Sequence, residues 1–320
     1  MNALPDRIAV TGGAGFIGSH VIERLAAAGA RVLVIDDLSH ACGAPAPPGV
    51  ELLVADEGSE EAARELSRFR PGALLHLAAK GGVAVALRDP GSHVRAVVGS
   101  TVAAYAAACA AGATAIVSAS SGGAMYGEAG RLPADEGLPA GPRSAYGASK
   151  AAEEAYLGSF TRSQGVRGLA LRFGNVYGPR QDGTGEAGVV AITCHRLLQG
   201  LSPTIYGDGG QTRDFVFVGD VADACLAALA AEVGGPINVG TGRETSIREV
   251  VEGLSDLHGE GVPITYAPGR AGEVRRSCLA TDRARRELGW SAGVGLRDGL
   301  RSTLASFEIA ATAEQHVLGG

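Results

Sequence analysis

Tyr146 and Lys150 stand four residues apart in the stretch SAYGASK, a spacing that puts both on one face of a helix. A phenol titrates at about 10 and must fall by about three units, roughly 4 kcal/mol, to serve as a base near neutral pH. A nearby ammonium favours the ionised form. Lysine is rare in this chain: of 28 basic residues only Lys80 and Lys150 are lysine, and the other 26 are arginine. An ammonium is a compact charge with three donors, whereas a guanidinium is a wide planar fork. A lysine kept at position 150 therefore points to a role in which shape matters, supporting the phenol and holding two ribose hydroxyls.

A second chemical feature lies near the N-terminus. TGGAGFIGSH places Gly12, Gly15 and Gly18 between the apolar run RIAV and a helical pattern. Gly12 allows a tight turn, Gly15 lets a pyrophosphate approach the backbone, and Gly18 lets the helix pack on the strand. The helix N-terminus then turns its free N–H groups to the phosphates. The next apolar run ends in Asp36-Asp37. A carboxylate there accepts hydrogen bonds from an adenosine ribose and repels a 2′-phosphate, which selects NAD over NADP.

These side chains need a scaffold. Strands are expected at 7–10, 31–36, 51–55, 73–79 and 114–120, and helices at 16–28, 59–69 and 92–111. Continuous apolar strands alternating with helices imply a parallel sheet covered on both faces. A helix over 144–164 and strands at GLALRF and 214–218 follow. Loops rich in Gly and Pro then become denser, at 178–188, 207–210 and 268–272. The expected fold is α/β: a Rossmann-type doubly wound parallel sheet with a smaller, discontinuous α/β substrate-binding domain. Residues 1–174 and 214–242 form the NAD-binding part, and 175–213 and 243–320 the substrate part.

Composition narrows the partners. The chain has 320 residues, a hydrophobic fraction of 46% and a formal net charge of −6. No Lys/Arg-rich run stands out, which argues against nucleic acid or an anionic membrane as the main partner. The segment MNALPDRIAV is too short and polar for a secretory signal. The most apolar stretch, 102–119, contains Tyr105, Gly112 and Thr114 and reads as a helix followed by a strand. Five scattered cysteines (42, 109, 194, 225, 278) without a CxxC pair fit a reducing, cytoplasmic compartment. No metal-ligand spacing stands out, and His76, closing an apolar run, reads as structural.

The chain resembles the extended short-chain dehydrogenases/reductases, and among them the UDP-glucose 4-epimerases and related sugar-nucleotide epimerases. The likeness runs over nearly the whole chain: TGGAGFIGSH, LLHLAAK, SASSGGAMYGE, YGASK, LRFGNVYGPRQ, YGDGGQTRDFVFVGDVA, NVGTG and RAGEVRRS with LGW after it. The resemblance implies that Tyr146 and Lys150 are catalytic, with Ser120 or Ser121 bonding the sugar hydroxyl. It implies that Phe16, Ile17, Ala78 and Lys80 line the cofactor beside the glycines, and that Asp56 touches adenine. Asn175, Arg213 and Arg270 would hold the nucleotide pyrophosphate, and Tyr206 would lie near the base. Val189, Glu273 and Ser277 would complete the substrate site. Two arginines from separate loops can clamp a diphosphate.

Two positions depart from the family. Four residues before Tyr126, where many relatives carry the catalytic Ser or Thr, stands Gly122, with Ser121 one further back. Ala96 stands where relatives commonly have Asn, which puts one local hydrogen bond in question. Related 4,6-dehydratases need an acid–base pair after that Ser or Thr, and related decarboxylases tend to carry Glu there. Here the positions hold Gly123 and Ala124, neither of which can move a proton. What remains is oxidation and re-reduction at one carbon, which is C4 epimerisation with NAD retained. The alternatives are a glucuronate 4-epimerase, a 4,6-dehydratase with a relocated acid, a 4-reductase, or a silent NAD-binding regulator. The expected partners are a UDP-linked sugar and a second copy of the chain, paired through helices 92–111 and 144–164.

Overall fold

The computed structural model describes residues 3–79, 88–184, 188–259, 261–270 and 272–318. Seven strands form one parallel sheet: β1 (Arg7–Thr11), β2 (Arg31–Asp36), β3 (Glu51–Val54), β4 (Ala73–His76), β5 (Ala115–Ser121), β6 (Arg167–Phe173) and, after four short strands, β11 (Gly235–Val239). Their order is β11-β6-β5-β4-β1-β2-β3. Chain direction across the sheet reverses between β1 and β4, so a crevice opens at their carboxyl ends.

Both faces of this sheet are covered, which is why its central strands read as unbroken apolar runs. Val21, Ile22 and Leu25 of α1 (Phe16–Ala27) pack with Val221, Ala224 and Leu229 of α8 (Val218–Ala230) on one face. On the other lie α2 (Glu60–Phe69), α4 (Ser100–Ala110) and α6 (Ala145–Gln164), which bury Leu66, Phe69, Tyr105 and Leu157.

The helix expected at 92–111 is not one regular α-helix. It starts as α3 (Pro90–Val94), capped by Asp89, whose side chain accepts the Ser92 N–H, with Pro90 at a position where the missing N–H does no harm. A π turn follows over Arg95–Gly99 before α4 begins. The wider turn buries Val97 and Val98 together and leaves Ala96 exposed. Ala96 therefore faces away from the interior.

A smaller body is stitched from three two-stranded pairs. They are β7 (Asn175–Tyr177) with β10 (Phe215–Phe217), β8 (Thr204–Tyr206) with β13 (Thr265–Ala267), and β9 (Thr212–Arg213) with β12 (Thr245–Ser246). Its core gathers Tyr177, Val190, Cys194, Phe215, Val250, Leu254 and Leu300 from β7, β10 and the helices α7 (Val189–Leu198), α9 (Ile247–His258) and α10 (Leu296–Leu318). Helix α9 opens with a reciprocal capping box between Ser246 and Glu249 and closes on Gly259 at φ +77°. Among the described residues no helix is long and apolar enough to cross a membrane.

Candidate active site

The turn after β1 is shaped by close backbone approach. Gly12 has φ +71°, and a Cβ there would lie 2.6 Å from the Ala78 nitrogen. A Cβ on Gly18 would lie 2.1 Å from the Gly12 carbonyl oxygen. Only glycine lets α1 start this near the strand. Gly15 caps α1 without a side-chain hydrogen bond, and the first turn, with Phe16 and Ile17, holds no acidic residue. The N-terminus of α1 thus keeps its donors for an anion.

At the end of β2, Asp36 is nearly buried and accepts the N–H groups of Ala14 (2.9 Å) and Leu38 (2.8 Å). It therefore ties the glycine turn to the second strand and retains lone pairs for a further donor. Asp37 is exposed and accepts from Ser39. Asp56 accepts the Gly58 N–H at 2.7 Å. Lys80 lies outside the described residues.

Helix α6 positions the Tyr/Lys pair. Ser144 caps its start by accepting the Gly147 N–H at 3.1 Å. A Cβ on Gly147 would lie 2.8 Å from the Ala124 carbonyl oxygen, so the glycine lets the first turn press against the short segment Gly122–Met125 that follows β5. Tyr146 is half-buried and Lys150 buried. The Lys150 ammonium donates to Glu153 Oε2 at 2.8 Å and to the Ala119 carbonyl at 3.4 Å. Burial alone lowers its pKa, but the Glu153 carboxylate and the Tyr146 phenol outweigh this and hold it above the usual lysine value. His76 sits behind, bonded to Thr11 (2.7 Å) and Thr101 (3.0 Å). Burial, with the Lys150 charge, pushes its imidazole down to about 3, so it stays neutral.

The two serines differ. Ser120 donates to Glu154 at 2.6 Å, and Glu154 is gripped by both ends of the Arg172 fork at 2.9 and 2.7 Å. Arg172 also donates to the Tyr126 hydroxyl, which donates to Asn238. Ser120 therefore belongs to a polar brace behind the strand. Ser121 caps the short helix α5 (Gly122–Met125) by accepting the Ala124 N–H at 3.3 Å, and its hydroxyl hydrogen stays available. The departure at Gly122 has a packing cause: a Cβ there would lie 2.6 Å from Leu279 Cδ1 and Cδ2. Leu279 fills the space that a serine side chain would need.

Across the crevice stand the residues of the smaller body. A Cβ on Gly123 would lie 3.6 Å from Asn175 Oδ1 and 4.0 Å from Ser277 Oγ, so these three positions lie side by side. Arg213 donates to the carbonyls of Thr212 and Val274, both at 2.8 Å, and to Glu273 at 2.9 Å. The Arg270 guanidinium lies over the Tyr206 ring at 4.1 Å, a cation–π contact. Val189 opens α7 behind Gly188, which offers no side-chain cap. Asp214, buried next to Arg213, accepts N–H groups of Thr241 (2.7 Å), Gly242 (3.0 Å) and Leu279 (3.2 Å) and so fastens the loops around the pocket.

This crevice matches a known pattern of sequence. The pattern of the NAD dependent epimerase/dehydratase family covers residues 8–240. The chain belongs to that family. UDP-glucose 4-epimerase of Mycolicibacterium smegmatis is 40% identical to it, over 94% of this chain and 98% of that protein. The crystal structure of UDP-glucose 4-epimerase with UDP-glucose from Thermotoga maritima superposes with a TM-score of 0.92 at 37% identity, covering 95% and 99% of the two chains. The Thermus thermophilus UDP-glucose 4-epimerase complex with NAD gives 0.88 at 41% identity, covering 94% and 99%.

Four features of this epimerase/dehydratase site go beyond the site residues expected from the sequence: Glu153, the Glu154–Arg172 brace, Asp214 and Leu279. Only one left a local signal. Glu153 follows Lys150 by three residues, the spacing of neighbours on a helix face. The other contacts join residues 18 or more apart.

Proposed function

We propose that this protein interconverts the C4 epimers of a nucleotide sugar, UDP-glucose and UDP-galactose, with NAD held in the glycine cradle. The observation that carries the reading is the placement of Tyr146 and Lys150 on α6, pressed against the short segment after β5 in which Gly123 and Ala124 hold no acid. The residues present fit NAD. The Gly12 turn leaves no room for a Cβ, the α1 N-terminus is uncapped by side chains, and Asp36 stands where a ribose would meet a carboxylate. Residues 1–174 and 214–242 would hold the cofactor, and 175–213 and 243–320 the sugar nucleotide.

When bound, NAD accepts a hydride from sugar C4 and returns it. Tyr146 takes the proton from the C4 hydroxyl, and Ser121, whose hydrogen is free, steadies that hydroxyl. Lys150 supports the phenolate and, with Glu153 and the Ala119 carbonyl taking two of its three donors, has one left for a ribose hydroxyl rather than the two expected from the sequence. Asn175, Arg213 and Arg270 grip the diphosphate while the 4-keto sugar turns about its phosphate linkage. Tyr146 then gives the proton back to the oxygen on the other face. Glu273 keeps Arg213 oriented from its far side, and Val189 and Tyr206 border the nucleotide. We assign this work to the cytoplasm, in keeping with the free thiols of all five cysteines. A homodimer through α4 and α6 would give twice the chain mass by light scattering at micromolar concentration; a monomer there would exclude it.

Incubating the purified protein with UDP-glucose and following the anomeric protons by NMR tests the assignment. UDP-galactose should accumulate to an equilibrium ratio without stoichiometric NADH. Unchanged UDP-glucose, or a dehydrated product, would overturn it.

Ser277 bears on which sugars enter. It is small, nearly buried and lies beside Gly123, which Asn175 also approaches. N-acetylated substrates, UDP-GlcNAc and UDP-GalNAc, should therefore be turned over as well. Ser277→Tyr should depress their turnover relative to UDP-glucose by about tenfold or more, the scale on which a filled pocket rejects added bulk. An unchanged ratio would show that position 277 does not face the C2 substituent.

A further inference from the structure

Lys150 does not stand alone in the interior. Its side chain is 4% exposed and that of Glu153, one turn along α6, is 2% exposed, with Nζ and Oε2 2.8 Å apart. Two of the three ammonium donors thus point at protein oxygens, Glu153 Oε2 and the Ala119 carbonyl. The other carboxylate oxygen, Glu153 Oε1, is buried without a hydrogen-bond partner. A buried acid with one unsatisfied oxygen is unfavourable for the fold. Packing alone does not call for a charge at this position; the ammonium beside it does.

We infer that Glu153 is a positioning residue for Lys150: its carboxylate anchors the ammonium on α6, leaves one donor for the ligand side, and through its charge sets the pH range of the Tyr146–Lys150 pair. The inference rests on the catalytic reading of that pair given above.

The surrounding charges leave Glu153 as the main control. Glu154 also faces Lys150, but its carboxylate is held by Arg172 and Ser120. His76, from β4, is neutral because burial pushes it down to about 3. Tyr105, from α4, donates to Ser118 and stays un-ionised, since burial raises it far above the usual phenol. His93, from α3, acts on Glu153 through its charge, and its Nε2 is buried without a partner. Glu153 itself is lifted by burial and pulled back first by Lys150 and then by His93. A negative charge 2.8 Å from the ammonium offsets much of the positive field that favours a phenolate at Tyr146. Removing it makes proton loss easier at both groups. Both limbs of the pH–rate profile should then move the same way, toward lower pH.

Glu153→Gln keeps the shape and one acceptor but removes the charge. Both limbs of its kcat/KM profile for UDP-glucose should shift to lower pH by at least about one unit, the scale of a close charge pair. A role in packing alone would lower rate or stability at every pH without moving the limbs. A second readout needs no activity. The chain has two lysines, Lys80 and Lys150, so lysine labelled with 13C at Cε gives two resonances, assigned with Lys80→Arg. The Lys150 resonance should titrate at lower pH in Glu153→Gln than in the native protein. An unmoved Lys150 titration, or a moved titration with unmoved limbs, would overturn the inference. Glu153→Asp, which keeps the charge and shortens the reach, should lower kcat while its limbs stay at native positions. Shifted limbs in that variant would also overturn it, and this arm decides if Glu153→Gln does not fold. A native protein without epimerase activity would sink the catalytic reading instead, while the lysine titration would still decide whether Glu153 holds Lys150.

Discussion

Lys150→Arg should lower the epimerisation rate by on the order of a hundredfold, the loss that follows a misplacement of about 1 Å at a reacting centre. The charge is kept, so a loss isolates shape. The lysine side chain is 4% exposed and fills its slot between α6 and the end of β5. A guanidinium is wider and presents its donors in one plane. It would also meet Glu153, and a carboxylate takes an arginine fork with two parallel hydrogen bonds. The cation would then turn toward Glu153 and away from Tyr146 and the ribose. Helix propensity is nearly the same for the two residues, so the thermal unfolding midpoint should change little. Lys150→Met, which keeps a long side chain but no charge, should also lose activity. Steady-state kinetics on all three proteins, with bound NAD measured after denaturation, checks this. Near-native turnover in Lys150→Arg with NAD retained would show that charge alone suffices.

Tyr146→Phe should cost more, about a hundred- to ten-thousandfold in kcat, the range for losing a positioned acid–base group. The substitution removes one oxygen from a half-buried ring on the first turn of α6. That turn is fixed by the Ser144 cap and by the approach of Gly147 to Ala124, neither of which involves the phenol. NAD and UDP-sugar should therefore still bind, so KM should stay within a few-fold while kcat collapses. Calorimetric titration with UDP, beside the kinetics, separates the two effects. A variant that keeps kcat but binds poorly would move Tyr146 from proton transfer to substrate binding.

Features that depend on near neighbours along the chain are legible in the sequence. The glycine triplet, the Asp at the end of the second strand and the Tyr/Lys pair are local patterns. Turn geometry and helical periodicity translate each directly into three-dimensional placement. The strand–helix alternation likewise implied a covered parallel sheet, because unbroken apolar runs are stable only when both faces are buried. Boundaries were less legible. The run at 73–79 pairs only as far as His76, and the helix expected over 92–111 contains the π turn at Arg95–Gly99. Periodicity reports which face is apolar, not where hydrogen bonding changes register.

How distant segments share the site emerges from packing alone. Ser120 and Ser121 are adjacent in sequence and equally plausible as hydroxyls. They part ways because Glu154, on a helix, and Arg172, on the neighbouring strand, claim one of them. Gly122 makes sense only beside Leu279, more than a hundred residues later. Glu153 reads as an ordinary helix-surface acid until α6 is docked and turns it inward against Lys150. Asp214 reads as a loop acid until three backbone N–H groups converge on it. The reason is the same in each case. A buried polar group is stable only with its partner, and the identity of that partner is set by how helices and strands pack rather than by spacing along the chain.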